Sequence, residues 1–130
     1  MKFGIVIVSI IIVVAGFILF SPHSSTQNSG SALSFQTVQH DVVTGGQLLD
    51  VRTPAEYIGG HIAGATNFSL QDMQAGQLPN LAKDKPVYLY CHSGSRASQA
   101  AVILKAAGYT NVTNLGSIDH VQAIGGIIKT

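Results

Sequence analysis

The residues best suited to chemistry lie in one stretch, Cys91-His92-Ser93-Gly94-Ser95-Arg96, which holds the only cysteine of the 130-residue chain. The apolar run Val87-Tyr88-Leu89-Tyr90 precedes it, and Ala97 to Ala107, a good helix sequence, follows. Strand, tight polar loop and helix start in that order predict backbone N–H groups converging over the loop, backed by the positive end of a helix dipole. A cysteine placed there is expected to be favoured as the thiolate, and so to act as a nucleophile. Ser93, Gly94 and Ser95 are small enough to let the amides converge. Arg96 adds a fixed charge with a forked donor set. The competing reading is a structural cysteine packed as a small hydrophobe; the loop composition favours the nucleophile.

Other polar residues are weaker candidates. His92 has three readings: general base, proton donor or exposed loop residue. His61, at a turn in Gly60-His61-Ile62, reads as a hydrogen-bonded structural histidine. Asp50 and Arg52 flank the end of a strand and are expected to pair internally and shape the site. Tyr88 and Tyr90 alternate along a strand and read as core. His23, His40 and His120 are scattered, and five histidines without acidic partners at ligand spacing do not make a metal site. The reading calls for no cofactor.

These residues need a frame. A net charge of +1 with no basic cluster leaves no electrostatic footprint for nucleic acid. One cysteine excludes an internal disulfide framework. Residues 3–20 form an apolar run about 27 Å long as a helix, close to a ~30 Å hydrocarbon core. An uncleaved anchor is preferred over a signal peptide, because the run exceeds the usual h-region and no small-x-small site follows it. Both readings carry the rest of the chain across the membrane, with the N-terminus and Lys2 on the cytoplasmic side. The domain is therefore expected outside the cytoplasm, periplasmic or secreted. Residues 21–33 have flexible linker composition, and a single domain is expected over 34–130.

Within that domain, Gln47 to Val51 reads as a buried strand. Thr53 caps a short helix, with Pro54 at its first position. Ile62 to Asn67 reads as a turn leading into another strand, and Ser69 to Leu81 as a polar helix broken near Gly76 or Pro79. Val87 to Tyr90 is the central strand, Ala97 to Ala107 a helix, Asn111 to Leu115 a strand and Ser117 to Ile124 a last helix. Short buried strands alternating with helices predict a parallel α/β sheet. Ligands of such sheets sit beyond the carboxyl ends of strands, where Cys91 falls.

Three segments also resemble one family. Leu49-Asp50-Val51-Arg52-Thr53-Pro54-Ala55-Glu56-Tyr57, continued by Gly60 to Asn67, is similar to the first signature of rhodanese domains. Tyr90 to Ser98 is similar to their active-site loop, and Gly108 to Gly116 to the strand segment that follows. The chain looks like the small single-domain members, such as those of the exported phage-shock type. The resemblance implies a mainly parallel five-stranded sheet flanked by helices. It also implies thiosulfate sulfurtransferase chemistry: Cys91 takes a sulfane sulfur from thiosulfate or a similar donor, carries it as a persulfide, and passes it to cyanide or a thiol. Residues His92, Ser93, Gly94, Ser95 and Arg96 would cradle the donor, with Asp50, Arg52 and His61 in support.

Four residues separate Cys91 from Arg96, one fewer than in related cysteine phosphatases, which disfavours phosphatase or arsenate reductase chemistry. The chain departs from the family where a Trp often follows the Asn-Leu-Gly segment: it has no Trp, and His120 stands near that place. His92 replaces a frequent Arg or Lys, so the loop is less cationic and its charge depends on pH. A persulfide carrier or sensor, or an interaction module, is the alternative to an enzyme.

Overall fold

The structure is a computed structural model that describes residues 32–130. The expected anchor and most of the expected linker lie outside the described residues. Among the described residues no helix is long and apolar enough to cross a membrane.

Helix α1 (Phe35–Val43) leads into strand β1 (Gln47–Asp50), helix α2 (Pro54–Ile58), strand β2 (His61–Ile62) and strand β3 (Thr66–Asn67). Helix α3 (Leu70–Gln74), strand β4 (Val87–Cys91), helix α4 (Ser95–Ala106), strand β5 (Val112–Ser117), helix α5 (Ile118–Ala123) and strand β6 (Ile128–Lys129) follow. The central sheet runs β3-β1-β4-β5 with every pair parallel. Strand β4 lies between β1 and β5 and is buried along its whole length.

The period-two alternation of β4 divides the core between the two faces of the sheet. Val87, Leu89 and Cys91 join Leu49, Leu70, Met73, Ala97, Ala100, Ala101, Leu104 and Tyr109. Tyr88 and Tyr90 face the other way, among Phe35, Val38, Leu48, Ile62, Leu115, Ile118 and Val121. Helices α3 and α4 therefore cover the face that carries the cysteine, and α1 and α5 cover the opposite face. Small residues on α4, Ala97, Ala100 and Ala101, let that helix lie close to the sheet.

Several expectations are corrected. The parallel sheet has four strands, not five: Gly64, at φ +88°, turns the chain between β2 and β3. Strand β2 then pairs antiparallel with β6 in a separate ribbon. The helix expected over Ser69 to Leu81 is confined to Leu70–Gln74, capped by Ser69 and followed by Gly76 at φ +94°. Helix α1 and strand β6 were not foreseen. Strand β5 continues past Leu115 to Ser117, and helix α4 begins at Ser95 rather than Ala97. Helix α2 and its Thr53 cap are as expected, with Pro54 at the first position and Glu56 completing a reciprocal capping box.

Candidate active site

Cys91 is the last residue of β4 and has no solvent exposure. Its Sγ accepts a hydrogen bond from the Gly94 N–H at 2.9 Å, so the chain folds back over the sulfur within three residues. Gly94 permits this because it sits at φ +95°, a conformation L side chains resist. A Cβ at Gly94 would also stand 3.3 Å from Gly116 Cα, so the loop rests directly on β5. That part of β5 is shaped locally. A register shift between Leu89 and Tyr90 lets Gly116 pair with Tyr90 and Ser117 with Cys91. The Asn114 side chain accepts from Gly116 N at 2.7 Å and donates to Ser98 Oγ of α4 at 2.9 Å.

Gly94 is also the N-cap of α4 and offers no side chain to cap it. The first-turn N–H groups of a helix have no intrahelical partners. Here they begin at Ser95, beside the sulfur, at the positive end of a 12-residue helix. His92, Ser93 and Ser95 are exposed, while Gly94 and Arg96 are half-buried. The loop thus presents amides and small polar side chains above a buried thiol.

Arg96 reaches across to α2. Its Nη1 and Nη2 bind Glu56 Oε2 and Oε1 at 2.7 and 2.8 Å. Glu56 Oε2 also accepts from Thr53 N and Thr53 Oγ1, each at 2.9 Å. The Arg96 fork, followed by the Thr53 donors, holds the Glu56 carboxyl well below the usual carboxylate range despite some burial. The same pair raises Arg96.

Beneath the loop lies a second pair. Asp50 is fully buried and accepts from Arg52 N at 3.0 Å, from Nε at 2.9 and 3.1 Å, and from Nη2 at 2.7 Å. Arg52 Nη2 also donates to Gly60 O at 2.6 Å. Tyr90 OH donates to Asp50 Oδ2 at 2.8 Å and accepts from Ile62 N at 3.0 Å. Burial comes first among the causes that push the Tyr90 phenol far above its usual range, with the Asp50 charge adding to it. Asn67 Nδ2 donates to the backbone oxygens of Asp50 and Arg52, at 3.0 and 2.9 Å. This network ties the ends of β1, β2 and β3 to the residue preceding Cys91.

His61 stacks on Tyr57, with ring centroids 3.7 Å apart and planes 12° apart. Its Nδ1 lies 3.0 Å from the Tyr57 carbonyl. A carbonyl oxygen only accepts, so Nδ1 carries the proton. The ring is engaged with α2. His120 is exposed on α5. The structure therefore gathers Cys91 to Arg96 at the β4–α4 junction and sets Asp50 and Arg52 behind it.

Sequence reasoning missed Glu56 as the partner of Arg96, Tyr90 as a polar link, and Asn114 as the brace of β5. The Thr53-x-x-Glu56 spacing signals a capping box, but nothing in it points to a residue 40 positions away.

The family model of the rhodanese-like domain matches residues 34–123. YqhL, an uncharacterized protein of Bacillus subtilis (strain 168), is 45% identical over 69 residues, 53% of this chain and 54% of that protein. The thiosulfate sulfurtransferase PspE of Escherichia coli (strain K12) is 36% identical over 76 residues, 56% of this chain and 71% of that enzyme. The match to the first of these curated relatives spans about half of that protein's length. Among solved structures, the rhodanese-like domain of the Alr3790 protein from Anabaena sp. superposes with a TM-score of 0.60 at 32% identity, covering 66% of this chain and 82% of that one. A rhodanese with anions from E. coli gives a TM-score of 0.56 at 31% identity, covering 65% and 98%. The chain belongs to the rhodanese-like domain family, with a mainly parallel α/β sheet flanked by helices.

Proposed function

We propose that this protein is a sulfurtransferase that carries sulfane sulfur as a persulfide on Cys91. The observation that carries the reading is the Cys91 sulfur beneath an uncapped helix N-terminus, already accepting the Gly94 N–H. In the first half-reaction the Cys91 thiolate attacks the outer sulfur of thiosulfate. A new S–S bond forms, the S–S bond of thiosulfate breaks, and sulfite leaves with the electron pair. In the second half-reaction cyanide or a thiolate attacks the outer sulfur of the persulfide, and Cys91 leaves as thiolate. Loop amides from His92 to Arg96 stabilise the negative charge at each stage. Asp50 and Arg52 hold the strand end from which the loop departs. The four-residue spacing between Cys91 and Arg96 favours sulfur over phosphate chemistry. The apolar run 3–20 supports membrane anchoring with the domain on the outer side.

The test is intact-mass analysis of the full chain after thiosulfate treatment, followed by cyanide. Wild type is expected to gain one sulfur and lose it as thiocyanate, and Cys91→Ser to do neither. Equal thiocyanate production by the two proteins refutes the reading. Gain of sulfur without transfer to cyanide or a thiol identifies a persulfide carrier instead.

A further inference from the structure

The chain has two arginines, and both are engaged by carboxylates. Arg52 is held by Asp50 and Gly60 O, and both Arg96 terminal nitrogens are held by Glu56. Two carboxylates and two guanidiniums cancel, so these four side chains bring no net fixed charge to the loop. Glu56 stands on α2 and Arg96 in the first turn of α4, so their pair joins the helix after β1 to the helix that carries the loop amides. Glu56 is itself fixed by its two bonds from Thr53.

We infer that Glu56 is a positioning residue for the sulfur-transfer loop: it holds Arg96 against α2 and cancels its charge, leaving the backbone amides to bind the donor. This rests on the proposed role of Cys91 as nucleophile. Arg96 is then a strut rather than a ligand of the donor, and the site reads its donor by hydrogen-bond geometry more than by net charge.

Removing either partner alone unbalances the field at the sulfur, with opposite signs. The other charged and titratable groups on the surrounding elements are His92 in the loop, Tyr88 and Tyr90 on β4, the Asp50–Arg52 pair behind the loop, Lys105 on α4, Asp72 on α3, Tyr57 on α2, His61 on β2, and Asp119 and His120 on α5. None of these is changed by the substitutions below.

The experiment is a pH titration of ultraviolet thiolate absorbance on the full chain, which has a single cysteine. Glu56→Gln is expected to move the midpoint down and Arg96→Gln to move it up. The double variant should return close to wild type, and Arg96→Lys should stay close to it. Gln at position 56 still accepts from Thr53, so the α2 cap survives. In thiosulfate kinetics, Arg96→Gln should lower kcat while changing KM less than about threefold, and Glu56→Gln should lower KM by freeing a cation. A tenfold or larger rise in KM for Arg96→Gln overturns the inference, since Arg96 then binds the donor itself. Midpoints that move in one direction for both single variants also overturn it. If wild type forms no thiocyanate, the proposed activity fails, while the absorbance titration still decides whether Glu56 and Arg96 act on the sulfur as a balanced pair.

Discussion

Tyr90→Phe removes one oxygen atom and leaves the ring, which makes it a clean probe of the network beneath the loop. The hydroxyl has two partners, Asp50 Oδ2 at 2.8 Å and Ile62 N at 3.0 Å, and Tyr90, Asp50 and Ile62 all have no solvent exposure. Without it, the Ile62 N–H is a buried donor with no acceptor, costing about 1–3 kcal/mol. Asp50 loses one of its charge-assisted bonds but keeps those from Arg52, so this loss lies at the low end of about 1.5–3 kcal/mol. The contact of Arg52 with the ring face, 5.9 Å from its centroid, survives in Phe. The two losses share one network and do not simply add. The expected total is about 3 kcal/mol, a fall in Tm on the order of 12–24 °C for a domain of this size. Urea unfolding at neutral pH measures it, with an unchanged m-value as the check that the unfolded state is unaltered. Tyr57→Phe is the comparison: its hydroxyl donates to Ala65 O at a half-buried position and should cost about 1 kcal/mol. A Tyr90→Phe protein within about 0.5 kcal/mol of wild type would refute the claim that this hydroxyl links β2 to β4.

Other substitutions and conditions probe the loop and its supports. Gly94→Ala must place an L side chain at φ +95° with its Cβ 3.3 Å from Gly116 Cα; it should cost at least about 1–2 kcal/mol and abolish persulfide formation, read by thermal melts and intact mass. Cys91 is fully buried, so bulky aromatic disulfides should label it far more slowly than iodoacetamide; equal rates would contradict a confined sulfur. Glu56 has its carboxyl held below the ordinary value of 4.5, chiefly by Arg96. The unfolded chain therefore takes up a proton at a higher pH than the native one, and stability is lost as pH falls below about 4.5. The pair is partly exposed, so this part is worth no more than about 1 kcal/mol, and Glu56→Gln should flatten that limb of a stability-versus-pH series. Tyr88 is pushed from 10.0 up to about 12 by burial and by its bond to Asp41. Its contribution is full below pH 10 and lost as pH rises toward 12, so Asp41→Asn should make tyrosinate absorbance appear at lower pH in the folded protein.

Much of this protein is written locally. The apolar strand before Cys91 and the Ala-rich segment after it determine a strand–loop–helix. Thr53, Pro54 and Glu56 determine the start of α2 through hydrogen bonds within three residues. Cys91 and its small-residue loop could be singled out because a tight turn into a helix leaves its imprint on consecutive residues. The strand count could not be read in this way. Whether Ile62 and Thr66 share a sheet depends on the turn at Gly64 and on the distant strand β6, and β6 is a pair of residues with no periodicity of its own. Helix α1 was also hidden, because its two buried residues, Phe35 and Val38, find their core only once α5 and β4 are in place.

The site divides along the same line. Sequence alone determined that a thiol stands at the mouth of a helix with an arginine behind it. Only the tertiary structure decided where that arginine points, because the choice between an anionic donor and Glu56 depends on the fold bringing Glu56, 40 residues away in the chain, within reach of the Arg96 side chain. It decided likewise that Tyr90 is a polar link as well as core, since its hydroxyl acts through an aspartate on β1 and an amide on β2. Local hydrogen-bonding patterns are fixed by residue spacing; partners brought together by sheet order are fixed by the fold.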